Sequence, residues 1–390
     1  MTRRFPDGFE WGTATAAHQI EGGNWNNDWW QWEHTPDSGC AEPSGDACDS
    51  WNRWQDDVAV VRDLGLGSYR FSIEWSRIEP EPGEWSSAAI AHYRRIGDAL
   101  READIRPVVT FHHFTAPRWF AARGGWLHDD AISSFARFCE RAARELAPVI
   151  DRACTINEPN IVAVMGHLLG MFPPGHTDLD EARRVIDVLC AAHRKSVEAI
   201  RSATDGVPVG LTLSMTEYAA VDGGEAMLEQ TRALMEDGFL DATAGDDFVG
   251  VQCYSRMRLG PQGPLGAEDG VTVLPMGYEY WPQALGATIR RVWDYTGHAI
   301  PIVVTENGIG TDDDALRVSY VETALESVLE CLHDGIDVRG YTYWSLLDNF
   351  EWTFGYMPKF GLVAVDRTTF ERRPKASAAR YRQIVAANAL

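Results

Sequence analysis

Ile300-Pro-Ile-Val-Val-Thr-Glu306, followed at once by Asn307-Gly308, is a short, nearly unbroken apolar run closed by a carboxylate and a turn signal. A strand with one wet face would alternate apolar and polar residues. This run does not, so it reads as a strand covered on both faces, as in a parallel sheet under helices. Seven other runs share its character: Phe9–Thr15, Ser68–Trp75, Arg106–Phe114, Ala153–Glu158, Val207–Ser214, Asp247–Tyr254 and Val338–Trp344. Helical periodicity fills intervals between them. Trp51–Leu64 sets Trp54, Val58, Val61 and Leu64 on one face, and Ala131–Leu146 and Tyr320–Leu332 repeat the pattern. Pro374–Ala387 closes the chain with its proline near a helix start. Eight strand-then-helix units predict an α/β fold, a (β/α)8 TIM barrel occupying residues 1–390 as a single domain. The stretches Glu21–Ser50 and Leu259–Pro275 are long enough to be functional loops.

Composition narrows the function. Hydrophobic residues make up 45% and charged residues 24%, which supplies a real core and excludes disorder. Lys+Arg 35 against Asp+Glu 57 leaves a net charge of -22, a surface that repels nucleic-acid backbones and anionic membrane alike. No apolar run approaches the roughly 18 residues of a spanning helix. Met1-Thr-Arg-Arg-Phe-Pro-Asp-Gly8 has basic residues but no apolar segment behind them, so no signal peptide is expected. Seven cysteines without a CxxC pair favour free thiols in a reducing cytoplasm.

The catalytic face of such a barrel is the carboxyl end of its strands. The polar residues there are Gln19 and Glu21, Arg70 and Glu74, His112 and His113, Asn157 and Glu158, Tyr254, Glu306 and Asn307, then Trp344, Asp348, Glu351 and Trp352. Alternation admits only one of the adjacent histidines to the barrel mouth, and His113 is the choice. Glu158 is pinned between an apolar strand and Pro159, and Glu306 between its strand and Asn-Gly. Two carboxyl groups facing each other beside tryptophan plates fit glycoside hydrolysis: one protonates the leaving oxygen, the other attacks the anomeric carbon or activates water.

Thr155-Ile-Asn-Glu-Pro159 and Val304-Thr-Glu-Asn-Gly308 resemble the two catalytic signatures of glycoside hydrolase family 1, the retaining β-glucosidase and β-galactosidase family. Three more segments match in order: Phe9–Gly22, Tyr69–Arg77 and Trp344–Trp352. The resemblance implies a double-displacement β-glucosidase with side β-galactosidase and β-fucosidase activity, acting without a cofactor or metal on small-molecule β-glycosides. It makes Glu306 the nucleophile and Glu158 the general acid/base. Arg70 and Tyr254 take the places of the residues beside the nucleophile, and Asn157 that of the residue binding the sugar 2-hydroxyl. Gln19, His113, Glu351 and Trp352 match the glycone binders, and Trp344 the floor of the sugar site.

Departures from the pattern lie near the glycone or first aglycone position: Phe114 where tryptophan is common, and Gln252-Cys253-Tyr254 in place of Asn-Tyr-Tyr. A transglycosidase, or a hydrolase dedicated to a natural-product glucoside, is the alternative; a non-catalytic sugar-binding protein would have lost a glutamate. Glu351 predicts non-phosphorylated substrates against the competing cation Lys359. The remaining features have structural readings. Glu74 and Arg77 form a charge network, Asp348 holds the strand-eight loop, and Cys253 is buried and inert. Trp11, Trp25, Trp29, Trp30 and Trp32 either line the entrance or pack under a loop. No His/Asp/Glu spacing resembles a metal site, and no oligomeric state follows from the sequence.

Overall fold

The structure, a computed structural model, describes residues 3–390; Met1 and Thr2, the start of the stretch read for a signal peptide, lie outside the described residues. Eight strands close a barrel: β1 (Glu10–Ala14), β2 (Ser68–Ser72), β3 (Arg106–His112), β4 (Arg152–Asn157), β5 (Val209–Ser214), β6 (Phe248–Gln252), β7 (Ile302–Asn307) and β8 (Val338–Trp344). Every neighbouring pair is parallel, and β8 returns to β1 in the register Glu10↔Gly340 to Ala14↔Trp344. Long helices follow the strands: α1 (Ser50–Asp63), α2 (Ser87–Glu102), α3 (Ala131–Leu146), α4 (Leu179–Ala203), α5 (Glu225–Arg232), α6 (Ala284–Tyr295), α7 (Asp314–His333) and α8 (Ala376–Ala387). This is the TIM barrel that the apolar runs predicted.

Side-chain alternation divides the core into two compartments. Val109, Ala153, Val249 and Val304 join the large cluster packed under the helices. Their neighbours Val108, Cys154, Phe248 and Val303 make a separate cluster that fills the barrel interior. The strand cores are near-continuously apolar because both compartments are dry.

Some sequence expectations shift at the edges. Pro374 does not open α8; it ends a short antiparallel strand, Arg372–Pro374, paired with Val363–Val365, and Lys375 precedes the helix. Glu21–Ser50 is not bare loop, since Asp28–Glu33 is helical with the Asn27 side chain accepting from the Trp30 amide. Leu259–Pro275 begins within a small sheet built from Glu217–Ala220, Arg256–Gly260 and Gly263–Pro264. Among the described residues no helix is long and apolar enough to cross a membrane, and all seven cysteines are free.

Candidate active site

A cavity of about 330 Å³ opens at the carboxyl ends of the strands and is lined by His113, Glu158, Tyr254, Glu306, Trp344, Glu351 and Trp352. Arg70, Asn157 and Gln19 stand behind this lining as buried side chains bonded to it.

Strict alternation would not have put Glu306 here. With Val303 facing the barrel interior, residue 306 should point outward to the helices. The pairing of β7 with β6 shifts register between Val304 and Glu306, and the pairing of β4 with β5 shifts between Cys154 and Asn157. Such bulges re-aim a side chain at the end of a strand. Glu306 and Glu158 both line the mouth.

Glu306 is held by two donors. Arg70 Nη1 lies 2.6 Å from Oε1, and the Tyr254 hydroxyl donates to Oε2 at 2.6 Å. Burial pushes the Glu306 carboxyl above its ordinary range, while Arg70 first and Tyr254 next pull it back. Behind it, Asn307 donates to the Cys253 carbonyl at 2.6 Å and accepts from Tyr341 at 2.8 Å. Tyr320 in turn donates to the Tyr254 carbonyl at 2.8 Å, which fixes the tyrosine that touches Glu306.

Glu158 is treated differently. It adopts φ 44°, ψ 58°, a left-handed conformation uncommon for a glutamate, and Pro159 begins a helix, Pro159–His167, immediately after it. The Glu158 amide donates to the Thr212 carbonyl at 2.9 Å, which anchors that turn to β5. Its carboxyl is pushed well above the ordinary range, first by burial and then by the charge of Glu306. The two carboxyls thus share one cavity and differ in their partners.

Asn157 joins these parts. Its Oδ1 accepts from Arg70, from Gln252 at 2.9 Å and from Thr212 at 3.3 Å, which turns its amide nitrogen toward His113 Nε2 at 3.2 Å. With Nε2 accepting, the His113 proton sits on Nδ1, a buried atom with no protein partner. Burial and Arg70 hold this imidazole neutral. Gln252, flagged above as a departure, therefore orients Asn157. The His113 ring stacks on Trp344 with centroids 5.7 Å apart and on Trp352 at 6.1 Å. Gln19 donates to the Phe350 carbonyl at 2.7 Å and to Glu351 at 3.2 Å, leaving its own Oε1 without a protein partner. Burial and Glu306 raise Glu351 to about 8.

Several residues fall outside the cavity. His112 packs edge-on against Trp126 and Phe135, and neither ring nitrogen has a partner. Alternation counted from Val108 would have turned His112 inward, yet at this last residue of β3 the ring lies against Trp126 and Phe135. Arg77 pairs with Glu21 at 2.8 Å rather than with Glu74, which bonds Ser76 and Thr115. Asp348 accepts from Lys375 at 2.7 Å and from the Gly361 amide at 2.9 Å, tying the loop after β8. The Cys253 thiol is buried and pushed up to about 12. Trp11 bonds Asn388 far from the mouth, Trp25 is exposed, and Trp29 backs Trp352 at 4.6 Å. Lys359 donates to the Tyr356 carbonyl. What the sequence did not reveal are the cavity walls beyond the barrel strands: Ile161 on the helix Pro159–His167, Met257 on the small sheet, and Phe172, Met276 and Tyr278 on loops. His167, His176 and Glu181 also converge, although their spacing follows no helical metal-ligand pattern.

Two carboxyl groups, one with a cation and one without, beneath aromatic plates at the mouth of a TIM barrel define a glycoside hydrolase. The sequence profile of Glycosyl hydrolase family 1 matches residues 1–253 and 266–390, and the chain belongs to that family. The crystal structure of a beta-glycosidase superposes with a TM-score of 0.92 at 45% identity, covering 99% of this chain and 98% of the other. The family 1 β-glucosidase from Thermotoga maritima gives a TM-score of 0.92 at 30% identity over the full length of both chains. A bifunctional beta-D-glucosidase/beta-D-fucosidase from Bifidobacterium breve is 34% identical, with 99% of each chain covered. The chain is a retaining β-glycosidase of this family.

Proposed function

We propose that the chain acts as one catalytic domain, a β-glucosidase that also accepts galactosides and fucosides, with Glu306 as nucleophile and Glu158 as acid/base. The carrying observation is the asymmetry between the carboxyls: Arg70 and Tyr254 both serve Glu306, and burial beside that charge keeps a proton on Glu158. Glu306 attacks the anomeric carbon while Glu158 gives its proton to the departing oxygen, leaving an alcohol and a glycosyl ester on Glu306. The ester carries no charge, so the strongest repulsion on Glu158 is gone and its acidity rises. Glu158 then takes a proton from water as the water oxygen attacks the anomeric carbon. The sugar leaves with retained configuration and both carboxyls return to their first states.

In this reading Asn157 meets the 2-hydroxyl, while His113 Nδ1, Gln19 Oε1 and Glu351 take the outer hydroxyls and Trp344 and Trp352 face the ring. The unpartnered Gln19 Oε1 and His113 Nδ1 support the roles of those two residues. Non-phosphorylated substrates are expected, for a reason that improves on the charge of Glu351. That residue holds its proton up to about pH 8. Arg256, however, is the only cation among the described residues lining the cavity, and it is engaged by Glu268, Glu279 and the Trp281 ring. A phosphate would find no free partner.

The apolar walls Ile161, Phe172, Met257 and Met276 favour a second reading, dedication to an apolar natural-product aglycone. The free thiols and the acidic surface support a cytoplasmic protein with no nucleic-acid or membrane partner. Trapping with a 2-deoxy-2-fluoro glucoside tests the assignment: the label is expected on the Glu306 peptide, and a label on Glu158 or an inverted product overturns it.

A further inference from the structure

We infer that His167, His176 and Glu181 form a binding site for a divalent transition-metal ion, Zn²⁺ before others, outside the glycosidase centre. His167 Nδ1 lies 2.6 Å and His176 Nδ1 2.5 Å from the same oxygen, Glu181 Oε1, and the three donor atoms all fall within 4.8 Å of one another. The two imidazole rings stand edge-on at 83°, each presenting Nδ1 to Glu181 Oε1, so an ion would replace these two hydrogen bonds. A hydrogen bond that merely orients Glu181 needs one histidine; here two from different parts of the chain converge on it. No Lys or Arg among the described residues pairs with Glu181. Two nitrogens and an oxygen are a donor set that zinc accepts, with room for a fourth ligand.

The surroundings fit. His167 is buried and His176 about half exposed, so the site has an anchored wall and an open approach. Both histidines line a separate cavity of about 320 Å³ with Asp28, Pro173 and Pro174, which leaves space for water in the fourth position. The Glu181 backbone amide donates to Asp178 Oδ1 at 2.8 Å, fixing the main chain of Glu181 in the first turn of α4. The His176 amide donates to the Gly166 carbonyl at 2.9 Å, so its imidazole is set by backbone as well.

The ion would clasp the segment between His167 and His176 to α4. That segment carries Phe172, which lines the catalytic cavity and packs on Trp29 at 4.7 Å. Metal binding therefore stiffens one wall of the sugar site without joining the chemistry.

The test uses the purified full chain, stripped with chelator, and its variants His176→Ala and Glu181→Gln, which spare the buried His167. Calorimetry with Zn²⁺ and thermal unfolding with and without Zn²⁺ are compared. The wild type is expected to bind one equivalent and gain thermal stability. Each variant should bind at least about tenfold more weakly and lose that gain, while unfolding near the metal-free wild type. Co²⁺ should give visible ligand-field bands in the wild type alone. Equal Zn²⁺ titrations for wild type and His176→Ala, or a wild type whose unfolding ignores Zn²⁺, would overturn the site and leave only scattered surface histidines. If Glu181→Gln fails to fold, the His176→Ala comparison decides alone.

Discussion

Arg70 Nη1 lies 2.6 Å from Glu306 Oε1 with both side chains almost wholly buried, at 2% and 4% exposure. Arg70 also donates to Thr110, Asn157 and the Thr305 carbonyl, so the cation is fixed from three strands. Breaking a buried pair from one side leaves an uncompensated charge, at a cost of about 3–5 kcal/mol unless that charge is neutralised. In Arg70→Met, Glu306 is expected to neutralise itself by taking a proton. Its folded pKa, already raised by burial, rises further. A carboxyl raised on folding binds more protons folded than unfolded, so stability falls as pH climbs through the interval. The thermal deficit of Arg70→Met should be small near pH 5 and grow toward pH 8, with activity largely lost. A deficit that is constant across this range would show that Glu306 stays charged.

Tyr254→Phe removes the second donor while leaving Arg70 in place. The bond goes to an ionised group, worth about 1.5–3 kcal/mol, which converts to about 10- to 150-fold in rate. Since the tyrosine lowers the Glu306 pKa, the acid limb of kcat/KM should move to higher pH. A lost rate with an unmoved acid limb would place Tyr254 on the sugar instead of on the nucleophile.

Much of this was legible in advance, and the residues show why. Continuous apolar runs disclose buried parallel strands, and a carboxylate held between such a run and a turn, as at Glu158 and Glu306, stands out from surface acids. The facing of those carboxylates was not legible. It depends on register shifts at Val304/Glu306 and Cys154/Asn157, which arise from pairing across the barrel. The loop-borne walls Phe172, Met276 and Tyr278 and the convergence of His167 with Glu181 depend on how long connections fold back, where no periodicity operates. Arg77 illustrates the same point: Glu74 is its near neighbour in sequence, yet the fold gives it Glu21.

Glu158→Gln separates the two half-reactions. The amide cannot protonate a departing alkoxide, so β-glucosides with poor leaving groups should slow by orders of magnitude. Activated aryl glucosides, which depart without a proton, should retain a much larger share of their glycosylation rate and become limited by attack of water. Steady-state and burst kinetics over a leaving-group series measure this; equal losses at both ends would contradict the acid/base role.

Glu351 links pH and stability in one variant. Burial and the Glu306 charge raise it to about 8, and its own charge in turn helps raise Glu158. Glu351→Gln removes that repulsion, so Glu158 becomes more acidic and the basic limb of kcat/KM should move to lower pH. The folded wild type holds a proton on Glu351 that the unfolded chain gives up near its ordinary value of 4.5, so wild-type stability declines as pH rises from there to about 8. Glutamine abolishes this contribution. The melting temperature of Glu351→Gln relative to wild type should therefore increase from pH 5 to pH 8. A basic limb that stays put, together with a pH-independent difference in melting temperature, would mean that Glu351 titrates like a solvated carboxylate and exerts no field on Glu158.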